Sequence, residues 1–122
     1  MKKSFNVKPV NEIDLVFEDG KSILLKFDVQ ALLNFSNLDN GINSLVNEKS
    51  LTEMCAKIVY IAGASYNEGL DLQEARKIVS NMSFLTLAEI VNEFNESMGV
   101  TQNEVQADFQ KKLMAQFLQN LK

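Results

Sequence analysis

Histidine, the commonest side chain for moving protons or holding metals near neutral pH, does not occur among the 122 residues of this chain, and cysteine occurs once, at Cys55. Imidazole acid–base catalysis, Ser-His or Cys-His nucleophile activation and His-ligated zinc are thereby excluded. A lone cysteine forms neither an intramolecular disulfide nor a thiolate cluster, which suits a reducing compartment. Cys55 lies on an apolar helical stripe, where a thiol packs as a small hydrophobe of low reactivity. The carboxylates sit mainly where helices begin and complement helix dipoles there, so no pair set across a cleft is expected. Asp39-Asn40-Gly41 has the look of a calcium loop but lacks the alternating oxygen ligands and closing glutamate of one. Gly20, Gly63 and Gly69 assemble into neither a P-loop nor a dinucleotide fingerprint. Tyr60 and Tyr66 flank an apolar face, where tyrosines pack with their hydroxyls at the rim. No catalytic, metal-binding or cofactor-binding residue is therefore predicted, and the chain is not expected to be an enzyme.

Composition narrows the remaining classes. The length is that of one domain, and 46% apolar residues suffice for a modest core. A formal net charge of −4 and a pI near 4.8 argue against a nucleic-acid footprint, which needs Lys and Arg gathered on one face. The pairs Lys2-Lys3 and Lys111-Lys112 read as solvated surface. Basic residues at the start are followed by no apolar run, so no signal peptide is expected. No stretch approaches a membrane span in length, and a cytosolic protein is predicted.

The element that must hold everything else is a long helix over residues 50–66. Leu51, Met54, Cys55, Ile58, Val59, Ala62 and Ser65 recur at three- and four-residue spacing and line one face, while Glu53, Lys57 and Glu68 fall outside it. Ser50-Leu-Thr-Glu53 forms a capping box in which each end serves the other. Tyr60 and Ile61 widen the apolar arc, so the helix is expected to be largely enclosed. Before it, residues 1–11 read as a flexible lead-in carrying the sole proline, Pro9. Ile13, Leu15 and Phe17 then alternate with polar neighbours, as do Ile23, Leu25 and Phe27 after Asp19-Gly20. That pattern predicts a hairpin over 12–27 with a two-residue type I′ turn at Asp19-Gly20. A lone hairpin is marginal in water and must rest on the helices or on another copy's strands.

Asp28 is set to cap a short helix over 28–36 through Val29, Leu32, Leu33 and Phe35. Residues 36–49 are rich in Asn, and a further helical turn through Leu38, Ile42, Leu45 and Val46 is left open there. Asp71 with Glu74 opens a helix over 71–81 whose apolar face is Leu72, Ala75, Ile78 and Val79. Thr86 with Glu89 opens another over 86–98, closed by Gly99. Thr101 with Glu104 opens the last, over 101–121, with Phe109, Leu113, Phe117 and Leu121 spaced by four and broadened by Met114 and Leu118. The fold class that follows is α+β and mostly helical, an N-terminal β-hairpin followed by four to five α-helices in one bundle-like domain over 12–122.

The run Ile13-Asp-Leu-Val-Phe-Glu-Asp-Gly-Lys21, the passage Leu25-Lys-Phe-Asp-Val-Gln-Ala-Leu32, the apolar helix Leu51 to Tyr66 and the segment Leu70-Asp-Leu-Gln-Glu-Ala75 follow one another in a recognisable order. In that order the chain resembles the tail assembly chaperones of long-tailed, siphovirus-like phages and prophages of Gram-positive bacteria. The likeness is one of pattern and covers roughly three quarters of the chain. It implies a non-enzymatic protein of the bacterial host cytosol that binds the tape measure protein, with the tail tube subunit as a further candidate partner. It also implies the shorter product of a gene whose relatives carry a frameshifted extension. A helix groove masks an amphipathic client helix, and Met82, Met98 and Met114 add adaptable surface. The client surface expected is Phe109, Leu113, Phe117 and Leu121. An adaptor that dimerises through its last helix is the alternative, and an exposed hairpin edge can add a neighbour's strand, which leaves homo-oligomers open.

Overall fold

A computed structural model describes residues 1–7, 9–41 and 43–97. Strand β1 (Glu12–Val16) pairs antiparallel with β2 (Ser22–Lys26), Ile13 opposite Leu25 and Leu15 opposite Ile23. Helices α1 (Val29–Asn34), α2 (Asn43–Val46), α3 (Leu51–Gly63), α4 (Leu72–Ser80) and α5 (Phe84–Ser97) follow, with one 3-10 turn, Phe35–Asn37, directly after α1. An α+β, mostly helical fold led by a hairpin is what alternation and capping predict. The helix expected over 101–121 and the Gly99 stop lie outside the described residues.

The hairpin turn differs from the expected type I′. Phe17 N–H donates to Lys21 O at 2.9 Å and Gly20 N–H to Phe17 O at 3.0 Å, so the loop has three residues, 18–20. Gly20 takes φ +86° while Asp19 stays out of the left-handed region, the signature of a type I turn closed by a glycine bulge. Parity explains why. A two-residue loop would place odd residues of one strand opposite even residues of the other and split the two apolar sets between faces. Three residues keep Ile13, Leu15, Ile23 and Leu25 on one face. The paired positive φ values occur instead at Asn40 (69°) and Gly41 (55°), just before α2.

Helix α3 is enclosed as its wide apolar arc predicts: nine of its thirteen residues are buried, Ile58, Val59 and Cys55 among them. It touches β2, α1, α2, α4 and α5. Burying a Leu, Ile or Val side chain stabilises by about 1.5–3 kcal/mol, so this helix carries much of the core. Its start matches half of the expected box. Ser50 Oγ accepts Glu53 N–H at 3.3 Å, but the Glu53 carboxylate turns to α4, its Oε1 accepting from Arg76 Nη2 at 2.6 Å and Nε at 2.9 Å and its Oε2 from Nε at 3.0 Å. Ser50 N–H donates to Glu48 Oε1 instead. Its end falls at Gly63 rather than Tyr66, which leaves Ser65 exposed at the rim.

Two helices differ from their expected settings. Asp28 caps α1 as predicted, its Oδ1 accepting Ala31 N–H at 3.0 Å. The buried face, however, is Ala31 and Asn34 with Phe35, while Val29, Leu32 and Leu33 are exposed. The small Ala31 lets the short helix lie close, and the Asn34 Nδ2 group finds its acceptors at the end of α3, Ile61 O and Ser65 Oγ. Helix α5 begins a turn before Thr86, because Ser83 Oγ accepts Thr86 N–H at 3.3 Å and Ser83 O accepts Leu87 N–H. Phe94 of α5 then meets Phe27 and Phe35 edge-on, centroids 6.2 and 6.3 Å apart, joining hairpin, α1 end and α5.

Gly63 sits where β2 crosses the end of α3. A Cβ there would meet Leu70 Cδ2 at 2.6 Å and Leu25 Cδ2 at 2.9 Å, and both leucines are buried. Gly63→Ala is expected to lower the unfolding free energy by about 1–3 kcal/mol through overpacking, measured by urea denaturation. An unchanged midpoint would show that the leucines yield without strain.

Candidate functional site

The end of α3 is held by two asparagines. Asn34 Nδ2 donates to Ile61 O at 2.9 Å and to Ser65 Oγ at 3.1 Å. Asn67 Nδ2 donates to Gly63 O and Leu24 O, both at 2.8 Å, while its Oδ1 accepts Leu24 N–H at 3.2 Å. The Asn67 side chain thus stands where a neighbouring strand would stand on β2. By fixing α1 and β2 on α3, these contacts set two surfaces of the molecule.

The first surface surrounds α1. Val29, Leu32 and Leu33 are 70%, 44% and 58% exposed and form a ridge at i, i+3 and i+4. Beside it lies an apolar groove of about 240 Å³ lined by Val10, Phe27, Ala31, Leu32, Ile61 and Phe94, with Asp28 and Ser97 at its polar positions. Of the apolar positions that mark the 28–36 helix in the sequence, Val29, Leu32, Leu33 and Phe35, only Phe35 is buried. Ala31 and Asn34, at i and i+3, form the inner face, one small and one polar, so neither competes with the leucines as an apolar signal.

The second surface is a broad cleft of about 1270 Å³ between β1 and the helices α4 and α5. Ile78, Met82 and Ile90 contribute apolar area, and Glu89 and Glu93 add carboxylates to those of Glu12, Asp14, Glu18 and Asp19. Asn11 closes one end, its amide donating to Ser97 Oγ at 3.0 Å and to Glu93 at 3.4 Å.

Four titratable groups have their ionisation shifted by burial or by contacts within the fold. Burial pushes the Cys55 thiol up to about 12, as expected for a packed, unreactive cysteine. Tyr60 is half-buried against the core, whereas Tyr66 is exposed, its hydroxyl donating to Asp28 and its ring 5.0 Å below Lys26 Nζ. The hydrogen bond to the Asp28 carboxylate pushes the Tyr66 phenol upward. Glu53 likewise pushes the Arg76 guanidinium upward. Among the described residues no group of three or more His, Cys, Asp or Glu is placed to hold a metal ion. No helix among them is long and apolar enough to cross a membrane. Met82 packs partly buried against the core. Phe109, Leu113, Phe117, Leu121, Met98 and Met114 lie outside the described residues.

Comparison of the chain with protein-family models, with curated proteins and with solved structures finds no match.

Glu48 joins α3 to the segment before it. Burial opposes its ionisation, but the Lys57 ammonium at 2.8 Å, with the N–H groups of Ser50 and Lys49, outweighs burial and holds the carboxyl below its usual value of 4.5. A depressed carboxyl contributes stability above its unfolded pKa and loses it as pH falls through the folded value. Between about pH 5 and pH 3 the protein is therefore expected to lose stability more steeply than Glu48→Gln, which should be less stable at neutral pH by about 1 kcal/mol. Parallel denaturation curves across that range would show that the pair contributes nothing.

Proposed function

We propose that the chain is a non-enzymatic client-binding protein and, more narrowly, a phage tail assembly chaperone. In this role it keeps the tape measure protein, and the tail tube subunit as a second client, in solution in the host cytosol during tail assembly. The observation that carries the proposal is the exposed α1 ridge of Val29, Leu32 and Leu33 beside its apolar groove. Such a ridge fits between the side chains of an amphipathic helix, and a long helical client has many of these to mask. The inert Cys55 and the ion pairs Glu48–Lys57 and Glu53–Arg76 within the fold agree with a binding role. Phe109, Leu113, Phe117 and Leu121 are proposed as a second strip of the same client surface. The resemblance of segments 13–21, 25–32, 51–66 and 70–75 to tail assembly chaperones supplies the identity of the client.

The test is co-expression with the tape measure protein, read as the soluble client fraction and its co-elution with this chain. The client is expected to be soluble only with the intact chain, and to return to the pellet with Leu32→Glu/Leu33→Glu. The variant should stay folded, since exposed substitutions shift stability by about 0.5 kcal/mol or less. Phe109→Glu/Phe117→Glu tests the second strip in the same way. Full rescue by the Leu32/Leu33 variant would reject the α1 ridge. A client that stays insoluble beside the intact chain, with no binding of the tail tube subunit, would reject the chaperone. Self-association lost on deleting residues 101–122 would then point to an adaptor.

A further inference from the structure

The two edges of the hairpin are not alike. Phe27 N–H donates to Asn11 O and Phe17 N–H to Lys21 O, so odd-numbered residues of β1 carry the ladder. Antiparallel alternation turns the N–H and C=O groups of Glu12, Asp14 and Val16 away from β2. On β2 the corresponding groups of Leu24 are taken by Asn67. On β1 they face the cleft, and no hydrogen bond to them from a described residue is found.

We propose that this edge of β1 takes up an extended, lysine- or arginine-bearing segment of a partner protein, added as a third strand. Side chains of a strand alternate between faces. One set of the added strand would rest on Ile78, Met82 and Ile90, and the other would stand beside Glu12, Asp14 and Glu18. No Lys or Arg lines the cleft among the described residues, and of its acids only Glu12 meets a cation there, Lys26 at 3.4 Å. The charge selects the occupant. A second copy of β1 would set Asp14 against Asp14, Glu12 against Asp14, or Glu12 against Glu18 in every nearby register, which is unfavourable. A basic partner strand neutralises the same row. Main-chain bonds supply affinity and the alternating pockets supply specificity. Among the described residues the cleft shares only Val10 with the α1 groove, and the inference does not depend on the client named above.

The test uses the full chain and a capped peptide alternating Lys and Val, with its Glu-Val counterpart as control. Titration is followed by NMR amide shifts and hydrogen exchange. The Lys-Val peptide is expected to bind saturably, to slow exchange at Glu12, Asp14 and Val16, and to weaken with added salt, while the Leu24 amide, already bonded to Asn67, stays unchanged. Val16→Pro removes an outward N–H without touching the ladder and should weaken binding at least about tenfold. If that variant does not fold, Asp14→Lys/Glu89→Lys carries the test, and the preference for the Lys peptide should fall by about the same factor. Equal binding of both peptides, no binding, or binding without slowed amides would overturn the proposal. So would slow exchange at Asp14 before any peptide is added, because this chain itself would then fill the edge.

Discussion

Helix α3 ends inside the molecule, and the turn that follows meets only part of its last carbonyl groups, Ala64 N–H donating to Tyr60 O and Tyr66 N–H to Gly63 O. Asn34 meets Ile61 O and Asn67 meets Gly63 O. Each asparagine belongs to a different part of the chain, so capping the helix also places its neighbours. Asn34 fixes which face of α1 turns inward. Asn67 fixes β2 on the helix end through Leu24. Gly63 makes the second contact sterically feasible, because Leu25 and Leu70 close over the place a side chain would occupy. A two-stranded hairpin that would be marginal alone is thereby joined to a buried helix.

That arrangement leaves the hairpin lopsided. One edge is stopped by a side-chain amide that imitates a strand, and the other, along β1, takes no hydrogen bond from a described residue. Edge strands are usually guarded by Lys, Pro or a covering loop. Here the guard is a row of carboxylates, which repels a second copy of the same strand yet attracts a basic one. The choice of acid at Glu12, Asp14 and Glu18 therefore acts on which partner pairs with the edge and leaves the core untouched, since all three are exposed.

Much of the fold was legible in the pattern of residues. The alternation of Ile13, Leu15, Ile23 and Leu25, the stripe from Leu51 to Ala62 and the caps at Asp28, Ser50 and Asp71 all specify elements that the structure contains. What escaped reading depends on distant partners. Asp19-Gly20 suits a two-residue turn locally, and only the shared face of both strands demands a third loop residue. Glu53 suits a capping box until Arg76, 23 residues on, offers a bidentate ion pair. The inner face of α1 is chosen by Ile61 O, which no local pattern around Asn34 announces. The α1 ridge follows from these same choices and could not be located from helix periodicity, whereas strand alternation gives a hairpin edge able to add a strand without saying which of the two strands carries it.

The surfaces also differ in what they can recognise. The α1 ridge presents the apolar side chains of Val29, Leu32 and Leu33 rather than a row of main-chain groups, so it selects by shape and apolar area. Such a surface accepts many amphipathic helices in several registers. The β1 edge offers main-chain groups at fixed spacing and a row of one charge, so it requires an extended chain and discriminates by sign. On the proposed reading, one permissive and one selective surface together hold a long apolar helix loosely while fixing the chain's position through a short basic segment. The tolerance of the first surface then depends on the second, because a ridge that accepts any register cannot by itself set where along a client it binds.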